Sequence, residues 1–329
     1  MSAAAQFHLP AVLERPAFNA IVPAIVADTH QDAAERFLEY FAATIRNPNT
    51  RAAYMNAVAD FLAYPPVAGL GSLAEMRSIH VSAYIEHVTA RFAPQTVKLR
   101  LAAIRGLFDW LARHGVLESN PAAPVRGPAY SQARGKTPIL TAAEAKRLIE
   151  SIDAKTLVGL RDRALIGVMV YSFSRVSAAI GMDVEELVRT AGRSWLRLSE
   201  KGGKVHEMPV HHRLLEHLEA YIAALGADID PKEPLFRAAR GRTGALSAKR
   251  MTRHDAYAMV RRRAAKAGVV EKIGNHSFRG TGITTFLMNE GTLEQAQEMA
   301  NHSSPRTTKL YDRRGDKITQ DAVERIRIE

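Results

Sequence analysis

The chain has 329 residues, 47% of them hydrophobic and 24% charged, and its 45 lysines and arginines outnumber 34 acidic residues to give a formal charge of +11. It contains no cysteine, which excludes a disulfide frame, a thiolate metal site and a cysteine nucleophile. No apolar run is long enough to span a bilayer, so no membrane partner is expected. The length favours two domains over one. The basic residues cluster, in Lys249-Arg250, Arg253, Arg261-Arg262-Arg263, Arg306, Lys309 and Arg313-Arg314, as expected for a polyanionic partner.

Residues 1–30 are rich in alanine and proline without a sustained period and read as a tail or arm. They lack a basic segment ahead of an apolar one, and Pro10, Pro16 and Pro23 break the apolar residues, so a secretory signal is not expected and a cytoplasmic protein is. A helical pattern from Gln31 carries Phe37, Leu38, Tyr40 and Phe41. Asn47-Pro48-Asn49-Thr50 is a turn and helix start with Thr50 as the expected N-cap, and the helix from Arg51 to Tyr64 lines up Tyr54, Val58, Phe61 and Leu62. Pro65-Pro66 stops it. A helix over Val81–Arg91 follows, then one opened by Pro94, with Leu99, Ala103, Leu107, Trp110 and Leu111 as its apolar stripe, ended by Gly115. Residues 31–124 thus form a compact helical domain on which Thr50, Arg51, Thr96, Lys98, Arg100 and Arg105 can face phosphates.

Residues 125–138 combine Pro, Gly and basic residues without a period and read as a linker, whose Arg134 and Lys136 would be drawn to a phosphate backbone. In residues 139–329, Thr141-Ala-Ala-Glu144 is a capping box, and Arg161–Phe173 is an apolar, buried helix that ends at Ser174-Arg175-Val176-Ser177. Trp195–Leu198 and Val205–Val210 read as two strands joined through Lys201-Gly202-Gly203-Lys204, a hairpin. Helical patterns return over His212–Leu225 and Arg250–Gly268, then in a helix with Asn275 as N-cap that carries His276 and Arg279 on one face. Three further helices are expected over Thr292–Asn301, Thr307–Asp312 and Asp316–Ile328, so that Tyr311 sits in a basic helix nine residues after His302. Arg175, Arg250, Arg253 and Lys204 add basic groups to this half.

In order, the chemically pointed residues are Arg175, Lys201, His276, Arg279, His302 and Tyr311. They stand in Tyr171-Ser-Phe-Ser-Arg175-Val-Ser177, Glu200-Lys201-Gly-Gly-Lys204-Val205, His276-Ser-Phe-Arg279-Gly-Thr281 and Ala300-Asn-His302 through Thr307-Thr-Lys-Leu-Tyr311. With these motifs the chain resembles a tyrosine recombinase of the phage-integrase family, whose pattern is Arg, Lys in a β-hairpin, His-x-x-Arg, His or Trp, then Tyr. The resemblance implies a mainly α protein: a helical, SAM-like core DNA-binding domain, then an α+β catalytic domain with a small antiparallel sheet. Two departures stand out. The acidic residue usual three places after the first arginine is Ala178, and the glycine that often precedes the second histidine is Asn301. Lys204 remains a rival for the place of Lys201.

The resemblance implies site-specific breaking and rejoining of double-stranded DNA through a 3′-phosphotyrosyl bond and a free 5′ hydroxyl. Arg175 and Arg279 would offer paired donors to the phosphate oxygens. Tyr311, whose hydroxyl normally titrates near 10, would be the nucleophile, His276 its base, Lys201 the acid for the leaving oxygen, and His302 a phosphate hydrogen-bonder. Neither metal, cofactor nor ATP is expected. A tetramer on two duplexes, with accessory DNA-bending proteins, is the implied assembly, and the last helix, with Ile318, Val323 and Ile326, would pack on its own domain or on a neighbouring protomer. The DNA target implies a nucleoid-associated protein. A type IB topoisomerase-like relaxing enzyme or a hairpin-forming resolvase, and a DNA-binding protein without catalysis (which only Ala178 favours), stay open as alternatives.

Overall fold

The structure, a computed structural model, describes residues 22–30, 32–129, 135–200, 203–241 and 243–314. Lys201, Arg134 and the helix expected over Asp316–Ile328 lie outside the described residues. The chain separates into two compact units that divide at residues 131/132.

The first unit is helical: α1 (Ala24–Ala27), α2 (Ala33–Glu39) running into a π turn (Tyr40–Thr44), α3 (Pro48–Leu62), α4 (Pro65–Ala68), α5 (Ser78–Thr89) and α6 (Pro94–Arg113). Proline opens α3, α4 and α6 from inside the first turn, where its missing N–H costs nothing. With Pro48 fixing the start, the cap of α3 is Asn47 and not Thr50: the Asn47 side chain accepts from the amides of Asn49 and Thr50 at 3.0 and 3.1 Å. In α6 the buried stripe runs through Val97, Leu101, Ile104, Leu107 and Leu111, which leaves Leu99, expected inside, 41% exposed. Phe61 of α3 meets Tyr84 and Phe108 edge-to-face at 5.1 and 6.0 Å at the centre of this core.

The second unit runs α7 (Ala142–Glu150), α8 (Leu157–Tyr171), α9 (Val176–Gly181), β1 (Leu187–Thr190), β2 (Arg193–Ser199), β3 (Val205–Pro209), α10 (His212–Leu225), β4 (Arg237–Ala239), β5 (Leu246–Arg250), α11 (Arg253–Lys266), α12 (Asn275–Met288), α13 (Leu293–Met299) and α14 (Pro305–Lys309). The capping box holds: Glu144 N–H donates to Thr141 Oγ1 at 3.2 Å, and Thr141 N–H to the Glu144 carboxylate at 2.8 Å. Helix α8 is buried nearly all round, and α10 and α12 pack on it. A buried ionic knot ties α8 to α11. Asp162 accepts from Arg161 at 2.6 and 3.0 Å and from Arg263 at 2.9 Å, while Arg161 also donates to the Arg237 carbonyl at 2.7 Å.

The expected hairpin is β2–β3, with Leu196 opposite Met208 and Leu198 opposite His206, and Gly203 takes a left-handed φ of 75° in its turn. The sheet has a third, unexpected strand, in the order β1-β2-β3. β1 is joined to β2 by Ala191-Gly192, both with positive φ (49° and 74°), a two-residue hairpin turn without the usual Asn-Gly signal. The pair β4–β5 was also not expected, and it places Arg250 at a strand end; α11 starts only at Arg253, capped by Thr252 paired with Asp255. Gly274 rather than Asn275 precedes α12, and α14 ends at Lys309, so Tyr311 lies in the turn beyond it and not in a helix.

Gly282 marks where α12 crosses the end of α8. A Cβ there would lie 2.1 Å from the Val170 carbonyl oxygen and 2.8 Å from Phe173. Gly282→Ala should therefore destabilise the protein by about 1–3 kcal/mol, the usual range for overpacking, read as a lower denaturant midpoint with unchanged slope.

Candidate active site

Three segments of the second unit bring the site together. Arg175 is the residue before α9, Arg279 lies in the first turn and a half of α12, and Tyr311 follows α14. Two turns position them. Phe173, between α8 and α9, adopts a left-handed φ of 52°, unusual for a bulky residue, and its carbonyl accepts from Arg279 Nη1. Past α13, Asn301 adopts a φ of 46°, its N–H donates to the Glu298 carbonyl at 2.9 Å and the His302 N–H to the Gln297 carbonyl at 3.0 Å, a Schellman cap. Asparagine tolerates this conformation better than other non-glycine residues, which accounts for Asn301 at a place where glycine is usual.

Arg279 is 1% exposed. Its Nη1 bonds the Phe173 carbonyl, its Nη2 the Ala300 carbonyl at 2.6 Å, and its buried Nε has no partner. Two of five N–H groups are thus tied to backbone and the rest remain for a ligand. Burial and then the neighbouring Arg175 draw its pKa down to about 10, so it stays cationic at neutral pH. Arg175 pairs through Nη1 with the Glu200 carboxylate at 2.5 Å.

The Tyr311 hydroxyl is 2.6 Å from His276 Nε2. Burial raises the Tyr311 pKa, against the pull of Arg279 and Arg175, so the phenol is protonated and donates to His276. Desolvation of the inner face of His276, then Arg279 and Arg175, hold that imidazole below its usual 6.5 and leave it neutral, able to accept. His276 is exposed while Arg279, three residues on, is buried, so the two side chains of this turn differ in their access to water. Gly280 admits the phenol ring: a Cβ there would stand 3.2 Å from Tyr311 Cε1. Thr284 Oγ1 donates to the Tyr311 carbonyl at 2.8 Å. His302 is buried with its ring near-parallel to Tyr311, centroids 6.0 Å apart, and its Nδ1 is 2.9 Å from Thr308 Oγ1. Burial, followed by Arg279, Arg175 and His276, lowers its pKa to about 3.

The structure therefore gathers Arg175, His276, Arg279, His302 and Tyr311. The hairpin leading to Lys201 is anchored beside them, with His206 Nε2 3.1 Å from the Met299 carbonyl. Glu200, Thr284, Thr308 and the Phe173 carbonyl are parts of the site that motif reading passed over. Only Glu200, beside Lys201 in the quoted motif, carried a signal in its charge.

The residues expected against DNA divide. Thr96, Lys98, Lys136, Lys204 and Arg253 are exposed, and Thr50 is partly so within α3. Four arginines are committed to the protein itself. Arg51 donates to the Ile45 carbonyl at 2.8 and 3.0 Å. Arg100 pairs with Asp60 at 2.5 Å and covers the Phe92 ring. Arg105 bonds the Ala122 and Val125 carbonyls. Arg250 gathers the Ile180, Gly181 and Met182 carbonyls and Asp183, closing the C-terminus of α9. Among the described residues no cluster of His, Cys, Asp or Glu is placed to hold a metal ion, and no helix is long and apolar enough to cross a membrane.

Comparison with known proteins gives the same class. The Phage integrase family profile matches residues 138–317, and the Phage integrase N-terminal SAM-like domain profile matches residues 34–115. The chain belongs to the phage integrase family and is a tyrosine recombinase. Tyrosine recombinase XerC of Myxococcus xanthus is 28% identical over 272 residues, which cover 80% of this chain and 87% of the relative. Tyrosine recombinase XerC of Salmonella typhi is 26% identical over 278 residues, covering 84% and 89%. In fold, the chain is similar to a lambda integrase dimer bound to a COC′ core site (TM-score 0.65, 16% identity, 87% of this chain and 96% of that one). It is also similar to XerH site-specific recombinase bound to its difH substrate (TM-score 0.62, 20% identity, 84% and 77%).

Proposed function

We propose that this recombinase cleaves and rejoins double-stranded DNA at specific sites through a 3′-phosphotyrosyl intermediate, with Tyr311 as nucleophile. The observation that carries the reading is the 2.6 Å contact between the Tyr311 hydroxyl and a neutral His276, within the field of two guanidiniums. In the cleavage step the Tyr311 oxygen bonds to phosphorus, its proton passes to His276 Nε2, and the P–O5′ bond breaks. Lys201 protonates the departing 5′ oxygen. Arg175 and Arg279 stabilise the added negative charge on the non-bridging oxygens, a role in which a single fixed donor is commonly worth about 10²–10³ in rate. His302 hydrogen-bonds the same phosphate through the ring nitrogen that Thr308 does not take. With charge stabilisation and proton transfer both supplied by side chains, the step needs neither metal nor ATP, because the phosphotyrosyl bond keeps the energy of the phosphodiester for attack by a second 5′ hydroxyl. Four protomers on two duplexes would exchange strands, the helical unit and the linker through Lys136 adding contacts to the backbone.

The test is trapping on a nicked duplex built on the tightest site selected from a randomised DNA pool. A chelator-resistant covalent adduct mapping to Tyr311 supports the reading. Salt-sensitive binding without any adduct would replace it with a non-catalytic DNA-binding role. Adduct formation with only relaxation of plasmids carrying paired sites would point to a topoisomerase-like enzyme.

The base assignment sets a pH dependence. His276 must be neutral to accept the proton, and its pKa is held below 6.5. Cleavage kcat/KM, which reports the free enzyme, should therefore hold flat from pH 8 to 6.5 and fall only below that. His276→Gln should lower it by roughly 10²–10⁴ and remove that acid limb. An acid limb that persists unchanged in the variant would assign the base elsewhere.

A further inference from the structure

Glu200 is an anomaly in a site built to receive a phosphate. Its carboxylate is 4% exposed and lies 2.5 Å from Arg175 Nη1. A buried anion next to an anion-binding site repels the ligand, so its presence calls for a compensating role. Arg175 explains it. The arginine leaves the chain at the start of α9 with its side chain still 38% exposed, and among the described residues Glu200 is the one acceptor that holds its head. Unheld, a guanidinium that exposed would sample several rotamers. Ala178, one turn on, ends in a methyl group buried in the core and offers no acceptor.

Glu200 is well placed to do this. It directly follows β2, and its N–H donates to the Lys204 carbonyl at 2.7 Å, which fixes its backbone to the start of the β3 side of the hairpin. The contact uses only Nη1 of Arg175, leaving Nη2 and Nε for a phosphate oxygen pair. The Glu200 charge also offsets the mutual repulsion of Arg175 and Arg279.

We propose that Glu200 is the positioning residue for Arg175, so that the carboxylate orienting this arginine is supplied by the hairpin and not by α9. The inference rests on the phosphotyrosyl reading of the site. A displacement of about 1 Å in such a group costs on the order of 10²-fold in rate.

The experiment is single-turnover cleavage of the nicked duplex by wild type, Glu200→Ala and Glu200→Gln, each also in an Arg175→Ala background. Binding of the intact duplex is measured in parallel. The expected result is a rate about 100-fold lower for Glu200→Ala and less reduced for Glu200→Gln, which keeps an acceptor and the side-chain volume. Binding should change little, and neither substitution should lower the rate further once Arg175 is alanine. Additive losses in that background, or a folded Glu200→Gln and Glu200→Ala that both cleave at the wild-type rate, would overturn the inference. Should the alanine variant fail to fold, the glutamine pair decides it by the same criterion. Wild type forming no adduct would instead overturn the reading of the site itself, and the inference with it.

Discussion

Tyr311→Phe is expected to bind the selected DNA site as tightly as wild type and to form no covalent adduct with it, a loss of roughly 10⁶-fold if the group is the sole nucleophile. The two readouts separate because of how the ring is held. The buried phenol packs near-parallel to His302 and against Gly280, and its backbone carbonyl is tied to Thr284; none of these contacts uses the hydroxyl. What the substitution removes is one hydrogen bond, to a His276 that remains open to water. A neutral hydrogen bond of this kind contributes about 1 kcal/mol. The thermal midpoint should therefore stay within a few degrees of wild type. Residual adduct at a different residue would show that another hydroxyl can serve, and would withdraw the assignment of Tyr311.

The parts of this chain that were legible from sequence are those fixed by local chemistry. Pro94, the Thr141–Glu144 box and the Gly203 turn each announce an element boundary through a backbone constraint, and each boundary is found there. The site residues could be ordered from motif resemblance, yet their geometry depends on contacts far apart in the chain. The Arg279 guanidinium is oriented by the carbonyls of Phe173 and Ala300, backbone atoms that carry no mark in a sequence. The same limit explains the arginines. Arg51, Arg105 and Arg250 look like free cations on a charge count, but each spends its donors on carbonyls at a helix end or a loop. Only the fold shows which basic residues remain exposed, as Lys98, Lys204 and Arg253 do. The strand β1 escaped because its turn, Ala191-Gly192, forces an alanine into a conformation that asparagine usually fills.

Arg279→Lys should cost both stability and rate, and the size of each follows from the same three atoms. In wild type the planar head spans two backbone carbonyls that no other described group satisfies in its place, while its remaining N–H groups stay available to a phosphate. An ammonium on a flexible stem can reach one of these carbonyls, not both together with a phosphate. Leaving one buried acceptor unpaired costs about 1–3 kcal/mol, so the denaturant midpoint should drop by a corresponding amount. The strained Phe173 turn, held partly by this arginine, loses a restraint at the same time. In cleavage the lysine offers a point charge where the developing oxyanions need a fixed pair of donors, and the rate at saturating DNA should fall by about 10²–10³. Binding should weaken far less, because the ground-state phosphate is contacted by many other cations over the duplex. Comparing the variant under conditions where it is fully folded separates the two losses. A folded Arg279→Lys that cleaves within tenfold of wild type would mean that charge alone suffices at this position, and that the buried fork serves the fold and not the reaction.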